Sequence, residues 1–174
     1  MKYFAAIPLL LLFISAPAAL LAEQQVALNT EEQVIPLTFN NPADAADNPE
    51  PRGCISLRIN NIRNSEGRLG IALFCTEEGF PDKPEKAFAL ANAEINGASK
   101  EIIIENVPYG RYAVSILHDE NSNSRMDKTW IGKPKEGFGI SNNPKIRFGP
   151  PGFDESGFVL DRDEIALDIA INYL

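Results

Sequence analysis

The carboxyl-terminal segment EIALDIAINYL alternates apolar side chains with polar or small ones. Apolar residues occupy every second position from Ile165 to Tyr173. Successive side chains of a β-strand point to opposite faces, so this pattern predicts a last strand with one face in a hydrophobic core. We expect truncation of this strand to unfold the domain.

Earlier segments carry the same period. Ile55, Leu57 and Ile59 alternate with polar residues, and after the turn NSEG the segment RLGIALFC at 68–75 predicts the second strand of a β-hairpin. KEIIIENV and RYAVSILH predict two more strands, separated by PYG at 108–110. Short strands without a long amphipathic helix predict an all-β fold, an antiparallel β-sandwich with long ordered loops.

The hydrophobic pattern does not determine the secondary structure of the segment that begins at residue 76. TEEGFPDKPEKAFALANAEING mixes turn residues with a short apolar patch at 87–91. It fits either a helical turn or an irregular crossover between strands.

Residues 1–22 combine Lys2 with an apolar run from Phe4 to Ile14 and an alanine-rich exit. That layout predicts a secretory signal peptide cleaved after Ala22, and an uncleaved anchor is the alternative. The apolar run is too short to favour a membrane span. Because cleavage would also remove it, we expect no stable membrane anchor in the mature protein. We expect an exported protein, either periplasmic or secreted.

Residues 23–53 predict an acidic, mostly disordered linker that ends where the domain of residues 54–174 begins. A short strand at Gln33–Phe39 is an alternative, and Pro36 would restrict it to a sheet edge. The whole chain has 24 acidic and 16 basic side chains, a net charge of −8. This acidic balance argues against nucleic acid as a partner.

Two cysteines, Cys54 and Cys75, flank the predicted hairpin. In an oxidising compartment their pairing in a disulfide is the first hypothesis, and two buried thiols are the alternative.

The stretch from His118 to Asn143 follows a predicted strand and begins with oxygen-bearing side chains at alternate positions. Such spacing returns successive ligands to one hard cation, which predicts a calcium site. Its proposed ligands are Asp119, Asn121, Asn123, the carbonyl of Arg125, and Asp127. Against an EF-hand, Ser124 replaces the glycine at position six and Trp130 the closing glutamate. The alternative is an Asx-rich turn bonded to its own backbone.

His118 is the only histidine. A hydrolase centred on His118 and Asp119 would need an open pocket there, whereas a structural role predicts a histidine with local hydrogen bonds at a strand end. The sequence offers no nucleophile motif, so no catalytic residue is assigned.

The loop that follows this turn, up to Asn143, can be interpreted in two ways. Either it packs over the proposed calcium-binding turn, with Trp130 and Phe138 beneath it, or it presents aromatic and amide groups to a protein, peptide or glycan. The candidate partner-binding residues are Trp130, Lys133, Lys135, Glu136, Phe138 and Asn142.

Several blocks occur together in order: GRLGIALF, VPYGRYAVSILHDENSNSRMD, IGKPKEGFGISNN and GPPGFDESGFVL. On these the chain resembles, over residues 55–174, the exported bacterial family DUF2141. The resemblance implies a small sandwich of Ig-like or transthyretin-like, Greek-key type, and it implies no established reaction or ligand. We therefore expect a non-catalytic binding or envelope-associated module. A structural accessory subunit is an alternative, which predicts an exposed apolar patch on one sheet.

Overall fold

The computed structural model describes residues 33–39, 50–146 and 149–174. The described residues form ten β-strands, one turn of α-helix and one turn of 3-10 helix at Pro84–Lys86. The elements are β1 Gln33–Ile35, β2 Thr38–Phe39, β3 Arg52–Asn60, β4 Arg68–Phe74, β5 Ala89–Ala93, β6 Lys100–Pro108, β7 Gly110–Asp119, β8 Gly137–Ile140, α1 Phe153–Ser156, β9 Phe158–Leu160 and β10 Glu164–Ala170.

The strands make two sheets. The first has the order β1-β6-β3-β10, and the second has the order β2-β5-β4-β7-β8. β9 also pairs with β7, at the first residues of that strand. All pairs of the second sheet are antiparallel, whereas β1 runs parallel to β6 and β10 parallel to β3. The predicted β-sandwich is confirmed, with two parallel pairs added to an otherwise antiparallel arrangement.

The hydrophobic core lies between the two sheets. Alternate side chains of β3, β6 and β10 meet alternate side chains of β4, β5 and β7. The buried set includes Ile55, Leu57, Ile59, Leu69, Ile71, Leu73, Ile102, Ile104, Val114, Ile116 and Ile169. The period-two patterns therefore identify the inward faces of the strands correctly.

The predicted hairpin of β3 and β4 is wrong, because the two strands belong to different sheets. The segment between them passes from one sheet to the other at the edge of the core. There Ile62 is 4% exposed, and its N–H donates to the Ala98 carbonyl at 3.0 Å. Cys54 and Cys75 are consequently not joined, which corrects the disulfide hypothesis. The Cys54 thiol instead donates to the Asp163 carbonyl at 3.2 Å, and burial raises its pKa.

Residues 33–39, assigned to the linker, form β1 and β2. β1 lies at the edge of the first sheet and β2 at the edge of the second, with Pro36 in the break between them. The edge position expected from Pro36 is thus confirmed. The predicted signal peptide and most of the predicted linker lie outside the described residues. No helix of the described residues is long and apolar enough to cross a membrane.

Candidate functional site

His118 lies at the end of β7 and is completely buried. Its Nε2 is 3.0 Å from the Glu66 carbonyl oxygen, and its Nδ1 is 2.7 Å from the Tyr173 hydroxyl. A carbonyl only accepts, so Nε2 carries a proton, and in the neutral imidazole Nδ1 accepts from the Tyr173 hydroxyl. The Tyr173 oxygen in turn accepts the Arg63 N–H at 3.1 Å. Both imidazole nitrogens are therefore satisfied within the fold.

The surface around His118 does not supply the open pocket that the hydrolase alternative requires. The imidazole has 0% exposure. A shallow groove among the described residues lies along β1, lined by Val34, Ile35, Pro36, Leu37, Glu105 and Asn106. The geometry corresponds to the strand-end histidine with local hydrogen bonds.

The segment after β7 winds around the buried carboxylate of Asp119, which is 1% exposed. Asp119 Oδ1 accepts the Asn123 N–H at 2.9 Å, and Oδ2 accepts the Ser124 N–H at 2.8 Å. Asn121 and Asn123 each accept a main-chain N–H two residues further along, at 3.1 and 2.8 Å. Ser124 has a φ of +63°, so it makes the left-handed turn for which EF-hands use glycine.

Asp127 completes the turn. The Asn121 and Asn123 amides donate to its Oδ2 and Oδ1 at 2.8 and 3.3 Å. The four predicted side chains therefore lie together, and their hydrogen bonds are to one another and to the main chain, as the Asx-rich turn alternative predicts. Arg68 Nε lies 3.5 Å from Asp119 Oδ2 as a countercharge. Within the described ranges no group of three or more His, Cys, Asp and Glu side chains is placed to hold a metal ion. The donor set predicted from the sequence is two carboxylates, two amides and the Arg125 carbonyl.

Glu136 is placed differently from the sequence prediction. Its side chain is 4% exposed and does not face a partner. Glu136 Oε1 accepts the Glu120 N–H at 3.1 Å, and Oε2 accepts the Asp127 N–H at 2.9 Å. One buried carboxylate thus joins the beginning and the end of the turn. Sequence reasoning missed this role because the two N–H groups meet only after the chain has turned.

Glu120 points away from the turn, as the alternation of ligands predicts. It pairs with the Arg63 guanidinium and accepts from Asn64 Nδ2 at 2.7 Å. The hydrogen bond from Arg63 is the main reason that the pKa of Glu120 lies below its usual value.

Residues 128–134 form a small hairpin above the turn. The Thr129 N–H donates to the Lys133 carbonyl at 2.7 Å, and the Gly132 N–H donates to the Thr129 carbonyl at 2.9 Å. Gly132 has a φ of +81°, as expected for a three-residue hairpin loop with a left-handed third position. Trp130 is 97% exposed and Ile131 57% exposed at the tip. Trp130 therefore does not pack beneath the loop.

The other candidate partner-binding residues divide into two groups. Lys133 is exposed next to the hairpin tip, and Lys135 is exposed at the hairpin base. Phe138 is half-buried in β8, where its backbone forms a bridge with Asn172. Asn142 Nδ2 donates to the Gly157 carbonyl at 2.9 Å, so that side chain joins two loops. The lysines remain candidates for contact with a partner, whereas Phe138 and Asn142 have structural contacts.

These features define a class of protein, a two-sheet β-sandwich with an Asp- and Asn-rich turn and a projecting hairpin at the end of a central strand. Residues 57–167 match the model of DUF2141, described as an uncharacterized protein conserved in bacteria. The chain belongs to this family, as its sequence blocks predict. The comparison with curated proteins gave no match, and neither did the comparison with solved structures.

Proposed function

We propose that this protein is an exported, non-catalytic binding module with an envelope-associated role, and that the hairpin tip is its contact surface. The observation that carries the proposal is the 97% exposure of Trp130. Trp is a residue that folding usually buries in large part, and at interfaces it is enriched as an anchor. Export rests on the signal-like residues 1–22.

The hydrogen bonds of His118 favour this role over the hydrolase alternative. A general base needs access to the proton that it abstracts. His118 is buried, and its two nitrogens are occupied by Tyr173 and Glu66.

The distribution of exposed apolar residues favours a binding module that uses the hairpin tip over a structural accessory subunit. In the described part of the chain the exposed large apolar side chains are Val34, Trp130, Ile131, Val159 and Leu174. Only Trp130 and Ile131 are adjacent, and they lie on the hairpin and not on a sheet face. An accessory subunit would be expected to expose a continuous apolar sheet surface.

We further propose that calcium stabilises the turn at Asp119–Asp127. The donors are all oxygens, which suits a hard cation better than a soft one. Each asparagine side-chain oxygen accepts one main-chain N–H and keeps a second lone pair. Asp119, Asn121, Asn123, Asp127 and the Arg125 carbonyl would hold the ion, whose role would be to fix the base of the hairpin.

Calorimetric titration with calcium tests this second proposal. We expect heat of binding and a rise in melting temperature for the purified protein, both lost in Asp127→Asn. Asp154→Asn, an exposed carboxylate that lies outside the turn, is the matched control. Absence of both heat and stabilisation in the unaltered protein would remove calcium from the function.

Site-specific photo-crosslinking tests the binding role without assuming a ligand. A photoreactive residue replaces Ile131 in the producing bacterium, and the same residue replaces Val159 as the control. Both native side chains are 57% exposed, so chance contact should be equal. We expect crosslinks to envelope components at Ile131 in clear excess over Val159, and equal yields would contradict the proposed contact surface.

A further inference from the structure

The tip of the hairpin is an exposed apolar surface formed by Trp130 and Ile131. Trp130 and Ile131 occupy the middle of a turn whose ends are joined by the Thr129–Gly132 and Thr129–Lys133 hydrogen bonds. These bonds fix the backbone at the two positions from which the side chains project. The backbone of the turn thus carries Trp130 and Ile131 at the tip, where they are 97% and 57% exposed.

The base of the hairpin is also fixed. The Lys135 N–H donates to the Asp127 carbonyl at 2.8 Å, one residue outside the Lys128–Pro134 bridge. Glu136 then attaches Asp127 to the end of β7 through the Glu120 N–H. A short two-stranded projection on such a base presents its tip in one orientation.

The hairpin segment is rich in basic side chains on an otherwise acidic protein. Residues 125–135 contain four basic side chains and one acidic side chain, although the whole chain carries −8. Lys128 Nζ lies 3.3 Å from Asp82. Lys133 and Lys135 are both exposed, and neither makes an ion pair with another described residue.

We propose that this tip docks peripherally on an anionic lipid surface. Trp130 and Ile131 enter the headgroup boundary, where amphipathic indole rings are favoured, and Lys133 and Lys135 approach the lipid phosphates. The inference rests on the proposed function, since it names the partner of the same contact surface.

Charge and shape together favour lipid over a protein pocket or an anionic glycan. The acidic body is repelled by an anionic bilayer and the basic tip is attracted, which orients the hairpin toward the surface. A two-residue apolar tip enters a deformable surface without a preformed cavity. Hydrophobic insertion and electrostatic attraction act in the same direction at this one place.

Vesicle binding tests the proposal on the protein purified after export. Trp130 is the only tryptophan of the chain, so its emission reports on the tip alone. With vesicles of mixed phosphatidylcholine and phosphatidylglycerol we expect co-sedimentation and a blue shift of Trp130, both weakened by salt. Vesicles of phosphatidylcholine alone should bind at least about tenfold more weakly.

Variants separate the tip from the rest of the molecule. Lys133→Gln with Lys135→Gln should weaken binding about 30-fold, the loss expected for two lysines near an anionic surface. Trp130→Ala with Ile131→Ser should remove most co-sedimentation, whereas Val159→Ser should bind like the unaltered protein. All variants keep the same amino terminus, so any binding through residues 1–22 is common to them, and thermal melts check that each is folded.

Two results would overturn the lipid assignment. One is equal sedimentation of the unaltered protein and the Trp130 variant, and the other is an unshifted Trp130 emission with anionic vesicles. If crosslinks from Ile131 then identify a protein or glycan, the binding function stands and only its lipid partner is rejected. If Ile131 and Val159 crosslink equally, the proposed function fails with it.

Discussion

His118 and Tyr173 share a 2.7 Å hydrogen bond that joins the end of β7 to the segment following β10. The Arg63 guanidinium lies over the Tyr173 ring, 4.4 Å from its centroid. Burial raises the pKa of Tyr173, so the phenol keeps the proton that it donates to His118. The beginning of the Asp119 turn is thereby anchored to the carboxyl terminus of the chain.

Tyr173→Phe should destabilise the fold by about 1–3 kcal/mol, because it leaves the buried Nδ1 of His118 without a donor. Urea unfolding measures the change. Tyr109→Phe is the control, since its hydroxyl bonds to Asp163 at 3.2 Å in an exposed position. That variant should change the free energy of unfolding by less than about 0.5 kcal/mol. Equal losses of unfolding free energy in the two variants would show that the hydrogen bond to His118 contributes no more to stability than an exposed one.

The sequence predicted the inward faces of the strands better than their partners. Alternation at Ile165–Tyr173 depends only on the period of one strand, and these residues do face the core, although the strand itself ends at Ala170. Pairing depends on where each connection leads, and the connection between β3 and β4 is seven residues long with a buried Ile62. Its length exceeds that of the usual hairpin loop, which is a signal that it crosses between sheets.

The candidate site was predictable where its bonds are local. Asp119, Asn121 and Asn123 act on N–H groups within five residues, so their spacing identifies the turn. The exposure of Trp130 contradicts the average behaviour of its residue type and depends on a hairpin that holds it outward. The burial of Glu136 depends on the three-dimensional meeting of two distant N–H groups.

The pairing of Glu120 with Arg63 predicts a particular acid sensitivity. The pKa of Glu120 is below its usual 4.5 in the folded protein, so the unfolded chain binds the proton more tightly. This stabilisation is fully present above the unfolded pKa and is lost as the pH falls through the folded pKa. Glu120→Gln should therefore flatten the decline of unfolding free energy below about pH 5.

Unfolding midpoints at a series of pH values test this slope. Glu78→Gln is the control, because Glu78 pairs with Lys86 while 71% exposed and solvent screens such a pair. At neutral pH, Glu120→Gln should cost about 1 kcal/mol, since glutamine keeps one acceptor. An unchanged acid slope in Glu120→Gln would refute the assignment.

Ser124 carries backbone strain that two substitutions can isolate. Its φ of +63° favours glycine, while its hydroxyl accepts from Arg68 at 2.6 Å. Both Ser124→Gly and Ser124→Ala lose that bond, but only alanine keeps the left-handed strain. The glycine variant should be more stable than the alanine variant by about 1 kcal/mol.

The same pair of changes at Ser99 is the matched control. Ser99 is exposed and does not have a positive φ. Glycine there should be less stable than alanine by about 0.4–1 kcal/mol, because it adds freedom to the unfolded chain. The order of the two variants should therefore reverse between the positions, and an identical order would mean that Ser124 is not strained.

Glu136→Gln tests whether one carboxylate fixes the base of the hairpin. Glutamine offers an acceptor to only one of the Glu120 and Asp127 N–H groups and turns its own amide toward the other. A buried N–H without an acceptor costs about 1–3 kcal/mol, so we expect a loss of that size. Amide hydrogen exchange should accelerate at Glu120 or Asp127, with little change in the β3 and β6 core strands. Glu155→Gln, at an exposed position, should leave both amides protected. If exchange at both amides also stays slow in Glu136→Gln, the hairpin is held by its own turn and by the Asp119 bonds.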